Sequence, residues 1–368
     1  MKNLLFILLL ASNNVLGLEV NNQCKSVLEN NKHLSNKEKL KKILEYREKY
    51  FLKEKDKDAF CLVQDLINKG DSDANAVLAT FYENGEFVKK DVKKAFEITK
   101  SMAEIGSPIG LNNLGSYYFN GKYVKKDLRK AIDYYKQAAE KGYSTAIINL
   151  SSSYFSGIGV EQNINKAISL ALTLAQDTKK VGYEQAMAYL GFYYGSIGLR
   201  DKEIFWTTKA AELYDPTAQV NLGYIYGTEP DVADLEKSLY WLNQSIERGN
   251  PEAYLMLANL YANGSKVYPI DEQKALVLYQ KAADLGNPKA QNNLANFYFL
   301  GKAVKKDEKK ALEWYEKAAE GENIYSINML YRIYNEGTES IPKDEEKARY
   351  WLNKAKEYGI MLEYPALN

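Results

Sequence analysis

Apolar and small residues recur along the chain with the spacing of two helices joined by a short loop. In the first helix of one such pair, Leu114, Gly115 and Tyr118 fall on one face. In the second helix of another pair, Ala311 and Tyr315 begin a face that continues through the two alanines of "EKAAEG". This spacing is typical of amphipathic helices, so the pattern predicts a series of helix pairs with buried apolar faces.

The helix pairs also repeat in sequence. "NNLGSYYFNGKYVKKDLRKAIDYYKQAAE" from Asn112 and "NNLANFYFLGKAVKKDEKKALEWYEKAAE" from Asn292 are identical at about 17 of 29 positions, with an offset of 180 residues or five periods of about 36. Glycine, which tolerates the left-handed conformation that ends many helices, marks the same period. These glycines are Gly70, Gly106, Gly142, Gly182, Gly249, Gly286, Gly321 and Gly359; the mark expected near Tyr214 is missing.

Capping residues support these boundaries. A polar residue followed by proline, as in Ser107-Pro108 and Asn287-Pro288, predicts the start of a first helix. A shared acid predicts the start of each second helix, at Asp91, Asp127, Asp271, Asp307 and Asp344. In the "VKKD" loops we expect the valine to pack under the loop and the lysines to face solvent. The alternative is a row of lysine pairs that meets an acidic partner.

The N-terminus is typical of a secretory signal peptide. Lys2 precedes an apolar stretch from Leu4 to Ala11, and cleavage is expected after Gly17. The stretch is too short to span a membrane, and no later segment approaches the roughly 20 residues required. We therefore expect an exported protein, periplasmic or secreted, that is not an integral membrane protein.

The mature chain is expected to contain three parts. Residues 18–70 form an N-terminal helical cap, in which Ser35 and Glu38 fit a capping box; residues 71–359 form the repeat array; residues 360–368 form a C-terminal tail. The two cysteines, Cys24 and Cys61, are expected to form a disulfide in an oxidising compartment, and two unpaired thiols are the alternative.

The repeated residues resemble the Sel1-like repeat, a relative of the tetratricopeptide repeat. The resemblance rests on the alanine, "NLG", tyrosine, glycine, aspartate, "KA", aromatic pair and "KAA" of the two aligned segments, and about eight units cover 71–359. It implies an all-α, right-handed solenoid of helix-turn-helix pairs with a concave groove along the first helices. Three units, beginning at Tyr143, Tyr183 and Asp215, depart from the pattern.

The sequence offers little for catalysis. Its single histidine, His33, excludes a histidine-based triad or a zinc-binding histidine pair in the array, and no phosphate-binding glycine loop is present. Ser340 and Lys343 have the spacing of a penicillin-interacting serine enzyme, but they fall in a predicted loop. The net charge of +1 argues against a nucleic-acid binder. We expect no enzyme activity, no metal and no cofactor.

Binding is therefore the expected function. The recurrent tyrosines of the first helix and the aromatic residues of the second are expected in the core. The resemblance places a different set of first-helix residues, expected to be exposed, in the groove. They are Asn112, Ser116, Phe119, Ser152, Phe155, Phe192, Tyr224, Asn259, Asn292, Asn296, Phe299 and Arg332.

Asparagines in such a groove can bond a peptide backbone, and phenylalanines can receive its side chains. We expect a protein or peptide partner for an exported adaptor. Two alternatives stay open: a protein that binds or hydrolyses an envelope glycan such as peptidoglycan, and a secreted effector directed at a host.

Overall fold

The structure is a computed structural model, and it describes residues 24–48 and 56–359. The predicted signal peptide and the predicted tail lie outside these ranges. The described residues form helices and no strand, which confirms the all-α prediction. The helices are α1 (24–30), α2 (Asn36–Glu48), α3 (Asp56–Asn68), α4 (Ser72–Asn84), α5 (Val92–Glu104), α6 (Pro108–Asn120), α7 (Leu128–Glu140), α8 (Ser144–Ser156), α9 (Ile164–Ala175), α10 (Tyr183–Ser196), α11 (Arg200–Glu212), α12 (Pro216–Thr228), α13 (Leu235–Ile246), α14 (Pro251–Asn263), α15 (Glu272–Asp284), α16 (Pro288–Leu300), α17 (Glu308–Glu320), α18 (Ile324–Glu336) and α19 (Glu345–Glu357).

Helices α4 to α19 form a solenoid of eight helix pairs, in which each even-numbered helix is the first of its pair. The chain divides into two compact units, one up to Ala186 and one from Met187. In the unit up to Ala186, Leu66 of α3 and Phe81 of α4 belong to one buried cluster. In the unit from Met187, Leu294 of α16, Tyr315 of α17 and Ile327 of α18 belong to another. Within each unit, successive helices thus bury apolar side chains against one another, as repeat proteins do.

The loop between α6 and α7 follows the prediction. Asp127 accepts a hydrogen bond from the backbone N–H of Lys130 at 3.0 Å, and its own N–H donates to the carbonyl of Tyr118 at 2.9 Å. Glycine and the residue two places later both take the left-handed conformation, with φ of 68° at Gly121 and 64° at Tyr123. The same side-chain cap is present at Asp91, Asp271, Asp307 and Asp344.

The side chains of these loops are also placed as predicted. Val88 and Val304 pack against the buried clusters of their units. The paired lysines of the three loops are exposed, at Lys89, Lys90, Lys125, Lys126, Lys305 and Lys306.

Two helix ends differ from the glycine pattern. Gly321 has φ of −82°, whereas Glu322 has φ of 61°, so the prediction that Gly321 is the left-handed mark is wrong by one residue. Glu322 lies 36 residues after Gly286, which has φ of 82°, so the period is kept and the glycine is displaced. Where the sequence lacks a glycine mark, Tyr214 adopts φ of 68° and the Arg248 guanidinium stacks on its ring at 4.0 Å.

The recurrent aromatic residues are largely buried, as expected. Tyr315 is fully buried, Tyr279 and Tyr135 nearly so, and Trp241 of α13 is only half-buried. One face of each first-helix tyrosine ring is covered by a lysine that the sequence analysis did not single out. This contact recurs in all eight pairs: Lys94 over Tyr82, Lys130 over Tyr118, Lys166 over Tyr154, Lys202 over Tyr194, Lys237 over Tyr226, Lys274 over Tyr261, Lys310 over Tyr298 and Lys347 over Tyr334.

The capping box and the disulfide predicted for the N-terminal region are both present. The Ser35 N–H donates to Glu38 Oε2 at 2.8 Å and the Glu38 N–H donates to Ser35 Oγ at 3.4 Å, which is a reciprocal capping box. Cys24 and Cys61 form a disulfide that joins α1 to α3. Among the described helices, none is both long and apolar enough to cross a membrane.

Candidate functional site

A polar cleft of about 250 Å³ opens between α4 and α6. It lies within the unit up to Ala186. The lining residues are Ala79, Thr80, Glu83, Thr99, Asn113, Ser116, Tyr117, Asn120 and Lys122.

An ion pair between Glu83 and Lys122 closes one side of the cleft. The hydroxyl of Tyr117 donates to the other oxygen of Glu83 at 3.2 Å. Burial, and then the negative charge of Glu83, raise the pKa of Tyr117 well above its usual range, so the phenol remains a hydrogen-bond donor. The cleft therefore offers a cation, a carboxylate and hydroxyl groups within a small volume.

Ser116 keeps the cleft open. Its hydroxyl lies 3.2 Å from the hydroxyl of Tyr135, which comes from α7 of the same pair. Burial raises the pKa of Tyr135, although the hydrogen bond with Ser116 opposes that rise. Because serine is short, the space between Ser116 and α4 is left unfilled. Ser116 is the predicted site residue that lines the cleft.

Asn112 is not exposed as the sequence predicted, because it is 4% accessible and bonded between first helices. Its Oδ1 accepts from Asn149 Nδ2 at 2.9 Å, and its Nδ2 donates to Asn113 Oδ1 at 3.1 Å. The other predicted residues of this unit are half-buried: Phe119, whose ring centroid lies 6.3 Å from that of Tyr135, and Ser152 and Phe155 of α8.

Asn292 in the unit from Met187 departs from its prediction for the same reason. It is 8% accessible, and its Oδ1 accepts from Ser326 Oγ of α18 at 2.9 Å. Its Nδ2 is 3.4 Å from Asn293 Oδ1. The amide is therefore used to join α16 to α18, and the expectation that Asn292 is exposed is wrong.

The remaining predicted residues of this unit are at least partly accessible. Phe192 and Tyr224 are 58% and 45% accessible. Phe299 is half-buried, and its ring packs edge-on at 6.4 Å from that of Tyr315. Three more, Asn259, Asn296 and Arg332, are half-buried at equivalent positions of α14, α16 and α18. The structure thus distributes the twelve predicted residues over both units instead of one compact site.

The sequence analysis missed most of the cleft, including Glu83, Tyr117 and Lys122. One pattern could have indicated it: Glu83 occupies the repeat position that holds an aromatic residue at Phe119 and Phe299. A charged residue in place of the aromatic residue indicates that this repeat has a polar contact at that position.

The Ser340–Lys343 spacing belongs to a structural loop. Ser340 lies between α18 and α19, and its backbone N–H donates to Glu308 Oε2 at 2.8 Å. Removal from water raises the pKa of the Glu308 carboxyl, but hydrogen bonds from Lys306, Thr338 and a backbone amide outweigh that effect and lower it to about 2. The serine therefore does not begin a helix, as the serine enzymes require.

Eight segments of the chain match the family model described as Sel1 repeat. They are residues 72–107, 108–143, 144–176, 184–215, 216–250, 251–287, 288–323 and 332–359. A comparison with curated proteins found no match.

Several solved structures are similar. A protective antigen of uropathogenic Escherichia coli with this repeat fold is 29% identical over 81% of the chain, with a TM-score of 0.52. The chain spans 64% of the length of that structure. A Sel1 repeat protein from Oxalobacter formigenes is 26% identical over 77% of the chain and 99% of its own, with a TM-score of 0.49. An immunity protein from Pseudomonas aeruginosa is 20% identical over 66% of the chain and 80% of its own, with a TM-score of 0.39.

Proposed function

Because the chain belongs to the Sel1 repeat family, whose proteins generally mediate protein–protein interaction, we propose that it is an exported adaptor that binds a protein or peptide on its first helices. Repeat arrays present such surfaces along successive helices, and the repeat is a scaffold to which specific side chains add function.

The cleft between α4 and α6 is the observation that supports this proposal. It is concave, and Thr80, Ser116 and Tyr117 place hydroxyl groups in it beside the Glu83–Lys122 pair. A small pocket with a few convergent polar groups can receive one side chain of a partner and bond its neighbouring backbone.

Glycan hydrolysis, the alternative function, finds less support at this cleft. Glycosidases use two carboxyl groups that flank the scissile bond. The lining residues include one carboxylate, Glu83, which is already paired with Lys122. The cleft is therefore better suited to binding than to glycan hydrolysis.

Export is the second part of the proposal. The pairing of Cys24 with Cys61 fits an oxidising compartment, where disulfides persist. Determining the N-terminal sequence of the protein purified from its native cells tests this part. We expect the mature chain to start at Leu18, and a chain that keeps residues 1–17 contradicts export through a cleaved signal peptide.

Filling the cleft tests the binding part. Thr80→Phe places a ring in the cleft, and Thr173→Phe is a matched control. Both threonine hydroxyls bond the carbonyl four residues earlier at 3.0 Å, but Thr173 is exposed on α9 away from the cleft residues. A photo-crosslinking amino acid at Asn120, an exposed lining residue, reports the occupant in native cells.

We expect a defined crosslinked protein with the parent chain and with Thr173→Phe, and its loss with Thr80→Phe at unchanged helicity. A crosslink that survives Thr80→Phe rejects the cleft as the binding site. Glycan fragments in place of a protein reject the adaptor proposal in favour of glycan binding.

A further inference from the structure

Three polar residues occupy one equivalent position on successive first helices of the unit from Met187. They are Asn259 on α14, Asn296 on α16 and Arg332 on α18. Neighbouring first helices touch directly in this region, because Asn293 Nδ2 donates to Asn259 Oδ1 at 3.3 Å. We call these three residues the donor row.

Tyrosine hydroxyls from the second helices fix the orientation of the two asparagines. Tyr279 donates to Asn259 Oδ1 at 2.7 Å, and Tyr315 donates to Asn296 Oδ1 at 2.6 Å. Burial raises the pKa of both phenols, to about 12 for Tyr279, so both hydroxyls stay protonated.

With each Oδ1 engaged, the amide nitrogens are the groups left to bind a ligand. Within the described part of the chain, Nδ2 of Asn259 and Nδ2 of Asn296 donate no hydrogen bond. Both side chains are partly accessible. The two asparagines therefore present hydrogen-bond donors, which need acceptor oxygens.

Arg332 continues the row with a positive charge. Its Nε is buried and has no hydrogen-bond partner among the described residues. Leucine stands at 352 where the two preceding pairs have Tyr279 and Tyr315, so this position supplies no phenol oxygen to the guanidinium. One turn earlier, Asn328 has a buried Oδ1 that likewise has no partner in the part of the chain that the structure describes. Buried polar atoms of this kind are costly unless a partner satisfies them.

We propose that the donor row binds an extended, acidic peptide segment, with Asn259 and Asn296 donating to backbone carbonyls and Arg332 pairing with a carboxylate. The inference rests on the proposed function, since it assumes that first-helix surfaces bind peptides. Arginine matches a carboxylate with two parallel hydrogen bonds. Tyr279 and Tyr315 are positioning residues that keep the asparagine nitrogens turned toward the peptide.

The spacing of the row indicates which peptide conformation fits. Packed helices lie about 8–10 Å apart. A polyproline II segment has three residues per turn and rises about 3.1 Å per residue, so equivalent carbonyls recur about every 9 Å. A β-strand repeats the same side after two residues, or about 7 Å. We therefore expect the row to contact every third residue, with the carboxylate three residues from the carbonyl at Asn296.

Selection from a random peptide display library tests the inference. The full mature chain is compared with Arg332→Gln, with Arg332→Lys as a second variant that keeps the charge. Lys305→Gln is the charge-matched control, because Lys305 is exposed on a loop of the same unit and forms no ion pair with another described residue.

We expect the parent chain and Lys305→Gln to select peptides with Asp or Glu at one fixed position, and Arg332→Gln to lose that preference. A selected peptide is then synthesised with Glu or Gln at that position. The Glu peptide should bind Arg332→Gln about tenfold more weakly than the parent chain, as expected for loss of a charged hydrogen bond. The Gln peptide should bind the parent chain and Arg332→Gln equally. For the Glu peptide, the affinity of Arg332→Lys should lie between those of the parent chain and Arg332→Gln.

Tyr315→Phe tests the orienting role. We expect the Glu peptide to bind it severalfold more weakly, since the Asn296 amide becomes free to rotate. The matched control is Tyr268→Phe, which removes another buried hydroxyl of the same unit, bonded to Ser238 at 3.0 Å. Equal losses in the two variants contradict the positioning role.

The outcomes separate the inference from the proposed function. Peptides that bind without a carboxylate preference, and whose binding is lost in Thr80→Phe, overturn the donor row but leave the adaptor proposal standing. Failure of the parent chain to select any peptide overturns both. An acidic preference that persists in Arg332→Gln overturns the assignment of the carboxylate to Arg332.

Discussion

The repeats 108–143 and 288–323 share most of their sequence, yet they present different chemistry at one position. In the first, the short Ser116 shares a hydrogen bond with Tyr135 and leaves the adjoining cleft open. In the second, the longer Asn296 reaches the hydroxyl of Tyr315 and presents its amide nitrogen. The tyrosine is common to both repeats. The residue opposite it, serine or asparagine, therefore decides whether the repeat has an open cleft or a partly accessible hydrogen-bond donor.

Two further differences adjust each repeat to its neighbours. Gly115 stands where the later repeat has Ala295, and a Cβ at Gly115 would lie 2.8 Å from the ring of Tyr135. The first residue of the second helix is Leu128 in one repeat and Glu308 in the other. The buried Glu308 bonds the loop before α19, whereas leucine has no group that could do so.

The largest expected effect comes from making the later repeat resemble the earlier one with Glu308→Leu. The Thr338 hydroxyl and the Ser340 N–H donate to Glu308 Oε2 at 2.7 and 2.8 Å, and the change leaves both donors without their acceptor. We expect the free energy of unfolding at pH 7 to fall by about 2–3 kcal/mol, measured by urea denaturation. Leu128→Met, a change of similar volume without lost hydrogen bonds, is the control and should cost less than about 1.5 kcal/mol.

The pH dependence of this difference has a definite sign. The pKa of Glu308 is lowered from 4.5 to about 2 in the folded chain. Its contribution is therefore complete above pH 4.5 and is lost as the pH falls toward 2. The parent chain should lose more stability between pH 5 and pH 2 than Glu308→Leu does. Parallel pH profiles for the two chains would show that Glu308 does not stabilise the loop through its charge.

An intermediate effect is expected from exchanging Gly115 and Ala295. Gly115→Ala forces the Tyr135 ring away from the new methyl group, and we expect a loss of about 1–2 kcal/mol despite the better helix propensity of alanine. Ala295→Gly, at a fully buried position, should also lose about 1 kcal/mol or more through backbone entropy and a small void.

Thermal unfolding of both variants measures the two stability changes, and the sign of each change tests the fit. Losses at both positions show that each tyrosine is fitted to the residue opposite it. A gain of stability in Gly115→Ala contradicts that fit, because it means that Tyr135 moves at no cost. The position would then differ between the repeats only in helix propensity.

The sequence predicted those features that depend on neighbours within one repeat. The capping role of Asp127, the exposed Lys125 and the loop valines follow from local turn chemistry. The burial of Asn112 and Asn292 could not be predicted from their own repeats. Each amide is engaged by a residue of the following first helix, Asn149 in one case and Ser326 in the other.

The candidate sites were harder to predict for the same reason. The cleft depends on the meeting of Glu83 from one repeat with Lys122 from the next. The unpartnered Nε of Arg332 depends on its packing as well as on its sequence position. Contacts between repeats, unlike caps, are not encoded within a single period.

The smallest expected effect concerns the lysine that covers the first-helix tyrosine in both repeats. Lys310 Nζ lies 4.3 Å from the centre of the Tyr298 ring, and Lys130 Nζ lies 5.1 Å from that of Tyr118. Methionine keeps most of the apolar stem and removes the charge. We expect Lys310→Met to cost about 0.5–1 kcal/mol and Lys130→Met less, because the attraction weakens with distance.

Urea denaturation of both variants beside Lys309→Met separates this contact from a general charge effect. Lys309 is exposed and adjacent in sequence, but Lys310 is the residue that lies over the ring. The interaction with the Tyr298 side chain is the main cause that raises the pKa of Lys310, so its ammonium form is favoured in the folded chain. Equal costs for Lys309→Met and Lys310→Met would show that the recurrent lysine contributes no more to stability than a solvated charge. A larger cost at Lys310 than at Lys309 would show that the contact with the tyrosine ring stabilises the repeat. A larger cost at Lys310 than at Lys130 would show that the closer contact stabilises it more.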